Sequence, residues 1–269
     1  MSLDQDKIIR IEEEAKKIIA SRPESFPDET TMIRNAPFHT EFLSCFKDRL
    51  KPLKLGIPQL VALASWLHGL NTSLGSGFEN FAHILSGGYK RSFTGHFVLK
   101  VGQTQAARIE QIIRDLKSGN VSPDLKRENN ALLSCIANNK EIDSLAFTVD
   151  NYLESKYEID AIELKSVRPN SGEGRGEKQK ILYGKAALML LHRKKEIKFM
   201  IGFPFDPTSD SPTKYNKERF FNYLIEFKKF FDMNEILIGS ELWDHLSGEE
   251  NTMDKALEII RKTVKKIQH

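Results

Sequence analysis

Three side chains near the middle of the chain have the types and spacing to do chemistry. The stretch YEIDAIELKSVR, residues 157–168, alternates like a β-strand and presents Glu163 and Lys165 towards its end. Strand side chains point alternately to opposite faces. One face therefore carries Tyr157, Ile159, Ala161, Glu163 and Lys165, and the other carries Glu158, Asp160, Ile162 and Leu164. Alone, Glu163 and Lys165 are an ordinary ion pair at a strand end. A second carboxylate beside them changes the chemistry. Two hard oxygen donors can hold Mg2+. A neighbouring ammonium can contact a phosphate or its attacking water and stabilise the charge that develops. The preceding segment, LAFTVDNYLES, supplies Asp150, with twelve residues between it and Glu163. A hairpin would bring the two together. Asp160 is nearer in sequence but lies on the opposite strand face, and Asp143, early in the strand or before it, is the reserve choice. The expected set is Asp150 and Glu163 as metal ligands with Lys165 as the cation.

The elements around this set must position it. Ser155-Lys156 makes the hairpin turn, and the polar, glycine-rich stretch PNSGEGRGE (169–177) reads as a loop. KQKILYGKAALMLLHR then reads as a helix, EIKFMIGFPF as a strand, DPTSDSPTKYN as a loop, KERFFNYLIEFKKFFDM as one amphipathic helix, EILIGS as a short buried strand and MDKALEIIRKTVKKIQ as a terminal helix. This order predicts an α/β fold with a mixed central sheet flanked by helices. Upstream, residues 4–21 place Ile8, Ile9, Ile11, Ala15, Ile18 and Ile19 on one helical face. Helices are expected over 41–51, 58–70 and from near Gly77 to Ser86, with a loop over 71–76. FTGHFVLKV (93–101) is a possible strand, and TQAARIEQIIRDLKSG and LKRENNALLSCIAN read as helices. No repeat or linker is visible. The expected organisation is one domain over 1–269, mainly helical over 1–140, with an α/β core over 141–269 that holds the candidate site.

With Asp150 on one strand of a hairpin, Glu163-Leu164-Lys165 on the next and an amphipathic helix after them, the sequence resembles the PD-(D/E)xK nuclease superfamily. Val149 stands where that motif has its proline. The helix carries Gln179 and Tyr183 one turn apart, similar to the Q-x-x-x-Y element of several branches, which implies that Gln179 joins the site. IELKSVRPNSGEGRGEKQKILYGKAALML further resembles type II restriction endonucleases of the TdeIII kind, in which a strand ending E-L-K-S runs into a K/R-P-N loop. WLHGLNTSLGSGFENFAHILS (66–86) looks like the N-terminal element of such enzymes, which often lends a helix glutamate to the site. Glu79 is the matching residue, implied as a catalytic group and metal ligand. The resemblance implies a restriction-endonuclease-like fold and Mg2+-dependent hydrolysis of double-stranded DNA at a short palindrome, GGNCC for the TdeIII kind. It also implies a homodimer, since a two-fold target is read most simply by a two-fold protein, and a cognate DNA methyltransferase acting on the same site.

DNA is gripped mainly through its phosphates by Lys, Arg and backbone N–H groups. Arg168, Asn170, Arg175 and Lys178 follow directly from the catalytic strand and are candidates to reach the duplex. Lys214, Asn216, Lys217 and Arg219, around the second loop, form another candidate group. Lys plus Arg number 40 against 37 Asp plus Glu, a net charge of +3, which permits a nucleic-acid partner without demanding one. The two cysteines, Cys45 and Cys135, have no zinc or disulfide spacing. The seven histidines are scattered, and no phosphate-binding G-x-x-x-x-G-K-[ST] is present. With no signal-like N-terminus and no run of membrane-spanning length, a cytoplasmic protein is expected. Two other readings share the fold: a repair or structure-directed nuclease with the same catalytic residues, and a non-catalytic DNA-binding module.

Overall fold

The computed structural model describes residues 3–22, 37–136, 140–165 and 173–268. Its centre is a five-stranded mixed sheet in the order β1-β4-β5-β6-β7. The strands are β1 (Tyr89–Phe93), β4 (Phe147–Glu154), β5 (Glu158–Leu164), β6 (Glu196–Phe203) and β7 (Ile236–Ile238). The β1–β4 and β4–β5 pairs are antiparallel, whereas the β5–β6 and β6–β7 pairs are parallel. β2 (Lys100–Gly102) and β3 (Glu141–Asp143) form a separate small pair. Parallel neighbours need a crossover, and α7 (Glu173–Leu191) supplies it between β5 and β6.

Helices cover both faces of the sheet. On one face α5 (Gln103–Ser118), α6 (Leu125–Leu133), α7, α8 (Lys217–Tyr223) and α9 (Ile225–Phe230) enclose Ile159, Ala161, Phe199 and Ile201. On the other, α1 (Gln5–Ala20), α4 (Ile57–Ser86), α10 (Ser240–Ser247) and α11 (Thr252–Gln268) enclose Ile162, Leu164 and Met200. The alternation read from YEIDAIEL is thus the division between two cores. The short α2 (Pro37–Ser44) and α3 (Lys47–Leu50) lie outside both. Among the described residues no helix is long and apolar enough to cross a membrane.

Several boundaries depart from the sequence reading. The expected loop over 71–76 lies inside α4, a continuous helix of 30 residues. Its low-propensity residues are overridden by packing. Gly77 lets Ile18 of α1 approach so closely that a Cβ there would stand 2.5 Å from Ile18 Cδ1, and Thr72 and Ser73 turn their hydroxyls back to the carbonyls of His68 and Gly69. The possible strand over 93–101 is instead the end of β1, a 3-10 turn at Gly95–Phe97 and the start of β2. Residues 173–177, read as loop, are the first turn of α7, because Gly174 fits against the Glu226 carbonyl, 3.1 Å from where a Cβ would stand. The single helix expected over 217–233 breaks at Leu224 (φ −105, ψ 64), which lets Phe220, Phe221, Phe227 and Phe230 all reach the core. β3 and α10 had no counterpart in the reading.

Candidate active site

The β4–β5 register pairs Asn151 with Ile162, Tyr152 with Ala161 and Leu153 with Asp160. One step further along the hairpin, Asp150 stands opposite Glu163, at the C-terminal end of β5. The β1–β4 register slips at this point: Tyr89 pairs with Tyr152 but Arg91 pairs with Val149, so Lys90 faces both Asp150 and Asn151. Such a bulge bends a strand and re-aims a side chain. Here it lets Val149 and Tyr152 both enter the core while Asp150 turns towards α4 and β5. Asp150 Oδ2 accepts from the Leu164 N–H at 3.0 Å, and its carbonyl accepts from His83 Nε2 at 2.7 Å. Lys90 Nζ lies 2.8 Å from Glu79 Oε2 and 3.4 Å from Asp150 Oδ1. Lys165 Nζ bridges Glu163 at 3.0 Å and Glu177 at 2.9 Å, and Lys180 Nζ lies 2.7 Å from the same Glu163 Oε1. The arrangement is four carboxylates, Glu79, Asp150, Glu163 and Glu177, laced by Lys90, Lys165 and Lys180.

The charges do not balance evenly. Burial pushes the Glu163 carboxyl above its usual value, and the Asp150 charge adds to this; Lys180 and Lys165 pull it back only in part. Glu163 Oε1 takes both ammonium contacts, while its Oε2 is buried with no hydrogen-bond partner. For Lys165, burial favours the neutral amine, but Glu163 and Glu177 outweigh it and hold the side chain above its ordinary value. Lys165 is therefore an ammonium at neutral pH. Lys90 is held up in the same way, chiefly by its hydrogen bond to Glu79.

A family described as "HinfI: Type II restriction endonuclease, HinfI" matches residues 3–264. The chain belongs to the HinfI family of type II restriction endonucleases. It is also 46% identical over 275 residues to "Type II restriction enzyme MjaII" of Methanocaldococcus jannaschii, a match covering 98% of this chain and 72% of that protein. A HinfI-family chain is an endodeoxyribonuclease acting on double-stranded DNA, so the class of enzyme expected from Glu163-Leu164-Lys165 is shown.

Within this HinfI-family fold the sequence-derived site residues have different fates. Asp150, Glu163, Lys165 and Glu79 are drawn together. Asp160 is held on the far face by His245 of α10, at 2.7 Å. Gln179 points elsewhere: its amide donates to Glu110 of α5 at 2.8 Å, and Tyr183 donates to the same oxygen at 3.1 Å. The Gln-Tyr pair thus joins α7 to α5, and Glu177, two residues earlier, reaches Lys165 instead. Lys90, Glu177, Lys180 and His83 were not foreseen. Glu177 and Lys180, one turn apart on the helix after β5, are a readable signal; Lys90 lies on a strand with none.

Of the DNA-contact candidates, Arg168 and Asn170 lie outside the described residues. Arg175 and Lys214 are exposed. Lys178 is a correction: it is fully buried between Glu128 and Glu235, at 2.5 and 2.6 Å, and does not face DNA. Asn216 caps α8 by accepting from the Arg219 N–H, Lys217 pairs with Glu241 at 2.7 Å, and Arg219 pairs with Asp210 at 3.0 Å. Among the described residues no three His, Cys, Asp or Glu side chains are gathered as a ready-made metal cluster. The donor chemistry nevertheless fits a hard divalent cation: two adjacent carboxylates, one with a buried oxygen lacking a partner. A groove of about 740 Å3 between α1, α4 and α11 is apolar and holds none of these residues.

Proposed function

We propose that this chain is a Mg2+-dependent type II restriction endonuclease that works as a homodimer on a short palindromic site. The unpartnered, buried Oε2 of Glu163 beside Asp150 carries this reading, because a carboxylate pair of this kind is stabilised by a cation between its members. Asp150 and Glu163 would hold the metal, and Glu79, now paired with Lys90, would complete the acidic set. Mg2+ bound there polarises a phosphoryl oxygen and lowers the pKa of a coordinated water. Lys165 supplies positive charge. Because Glu163 and Glu177 keep it protonated, it donates to a non-bridging phosphate oxygen and does not act as the base. Arg175 and Lys214, exposed on the surface, join Arg168 and Asn170 as candidates for backbone or base contacts. The resemblance to the TdeIII kind supports GGNCC as the target, and a methyltransferase modifying the same site is the expected partner.

The test is digestion of a sequenced plasmid with Mg2+, beside an EDTA control, followed by sequencing of the fragment ends. Discrete fragments sharing GGNCC at their ends are expected. Asp150→Ala, Glu163→Ala and Lys165→Ala should each abolish cleavage while DNA binding survives, and Glu79→Ala should slow it. Full cleavage by the Asp150 or Glu163 variant would overturn the assignment of the metal ligands.

A further inference from the structure

Of the three lysines that lace the acidic cluster, Lys90 stands apart. Lys165 and Lys180 both contact Glu163 Oε1, at 3.0 and 2.7 Å, and their side chains are 21% and 25% exposed. Lys90 serves the other half of the cluster. Its Nζ lies 2.8 Å from Glu79 Oε2 and 3.4 Å from Asp150 Oδ1, and its side chain is 49% exposed. Asp150 Oδ2 accepts from the Leu164 N–H, and Lys90 approaches the other oxygen. The chain builds this placement. α4 ends at Gly87, whose φ of 75° is left-handed. The next residue, Gly88, runs so close to β4 that a Cβ would stand 2.7 Å from Asn151 Oδ1 and 3.0 Å from the Tyr152 carbonyl oxygen. Ser86 Oγ accepts from the Gly88 N–H at 2.9 Å and fixes the turn. Two residues later the β1–β4 register slips and Lys90 meets Asp150. The turn thus folds Lys90 back over Glu79, eleven residues earlier on α4.

An ammonium at this point is a competitor as well as a counter-ion. Neighbouring carboxylates repel one another, and a positive charge beside them relieves the repulsion. Lysine supplies that charge as a compact point on a flexible four-carbon stem. A half-exposed side chain gives up little by moving into water, so Lys90 can leave its partners, whereas the more enclosed Lys165 and Lys180 stay on Glu163. We propose that Lys90 sets the metal affinity of this site: it neutralises Asp150 and Glu79, competes with a divalent cation for their oxygens, and swings to solvent when the cation binds. The inference rests on the metal-site reading above and deepens it by naming the group that a cation must displace. It carries a sign opposite to that of a structural contact. Removing a residue that merely supports the carboxylates loosens them and weakens metal binding; removing a competitor strengthens it.

Calorimetric titration of Mg2+ into the full chain, without DNA and at low ionic strength, tests this. Lys90→Met should bind Mg2+ about threefold to tenfold more tightly than the wild type. Lys90→Arg, which keeps the charge, should bind it no more tightly than the wild type. A second readout follows the lysine itself in the wild-type protein. The 13Cε resonance of Lys90, identified by its loss in Lys90→Met, should move towards the position of a free lysine as Mg2+ is added, and should stay in place when Mg2+ is added to Asp150→Ala. Lys90→Met that binds Mg2+ no more tightly than the wild type, or a Lys90 resonance that stays in place while Mg2+ saturates the wild type, would overturn this role and leave the metal-site reading standing. A wild type that binds no Mg2+, or Asp150→Ala that binds it as tightly as the wild type, would overturn both.

Discussion

Replacing Lys178 with methionine should cost the fold about 3–5 kcal/mol. Lys178 Nζ lies 2.5 Å from Glu128 and 2.6 Å from Glu235, with all three side chains 2% exposed or less. It also sits 5.1 Å from the Phe231 ring centroid. Methionine keeps much of the volume but leaves two carboxylates buried without their shared cation. Lys185 is the nearest substitute, but it stands 3.9 Å from Glu235, and burial has already lowered its pKa to about 8. The deficit should depend on pH. Burial holds Glu128 above the usual carboxylate value, Lys178 pulls it down and the Glu235 charge pushes it up. Removing Lys178 therefore raises it further. A carboxyl whose folded-state pKa exceeds its unfolded value binds its proton more tightly in the folded protein, so stability recovers as pH falls towards the unfolded pKa. Urea unfolding followed by circular dichroism should thus show the full loss at pH 7.5 and a smaller one at pH 5.5, with little change in m-value. Lys178→Met/Glu128→Gln should regain part of it. A loss below ~1 kcal/mol, or one that grows in acid, would refute the buried-network account. A phosphate-contacting Lys178 would instead weaken DNA binding and flatten its salt dependence with little loss of stability.

Two further outcomes follow from groups around the site. Lys180 lowers the Glu163 pKa, so Lys180→Met should move the acid limb of the single-turnover pH–rate profile to higher pH. On the alkaline side of that limb, the same variant should bind Mg2+ by calorimetry at least as tightly as the wild type, since a competing ammonium 2.7 Å from Glu163 is gone; an unmoved acid limb would show that Lys180 does not act on Glu163. On the opposite face, the hydrogen bond that His245 donates to Asp160 raises the His245 pKa. Stability from a raised histidine is present below its unfolded pKa near 6.5 and is lost as pH rises through the folded value. Asp160→Asn should therefore cost about 0.5–1 kcal/mol at pH 6 and almost nothing at pH 9, with cleavage retained; an equal loss at both would show that the pair is not a charged one.

The residues that could be read in advance are those whose position depends on local periodicity. Glu163 and Lys165 follow from period-two alternation in β5, and so does the exile of Asp160 to the α10 side, while the hairpin brings Asp150 opposite Glu163. The mixed sheet with helices on both faces was legible for the same reason: each segment after Phe147 is strongly patterned. What escaped was decided at long range. β1 is an edge strand whose single buried residue is Phe93, so Tyr89–Phe93 shows no alternation to read. Its strand character comes from pairing with β4, and with it come the bulge that aims Asp150 and the lysine that holds Glu79. The loop expected at 71–76 is helical because α1 packs against it. Lys178 was misplaced because α7 was taken to begin there; with the helix starting at Glu173, Lys178 and Lys185, seven residues and two turns apart, share one face. Two lysines at that spacing, Lys178 just before the apolar run ILYGKAALML and Lys185 inside it, are the signal in the sequence. A helix passing through the core can keep such residues when other elements bring the compensating charges, here Glu128 from α6 and Glu235 from the turn before β7. The same α7 that supplies Glu177 and Lys180 to the Glu163–Lys165 cluster is therefore anchored by ion pairs at Lys178, between them in sequence. Loosening that anchor should disturb the cluster of Asp150, Glu163 and Glu177 even though Lys178 touches none of them.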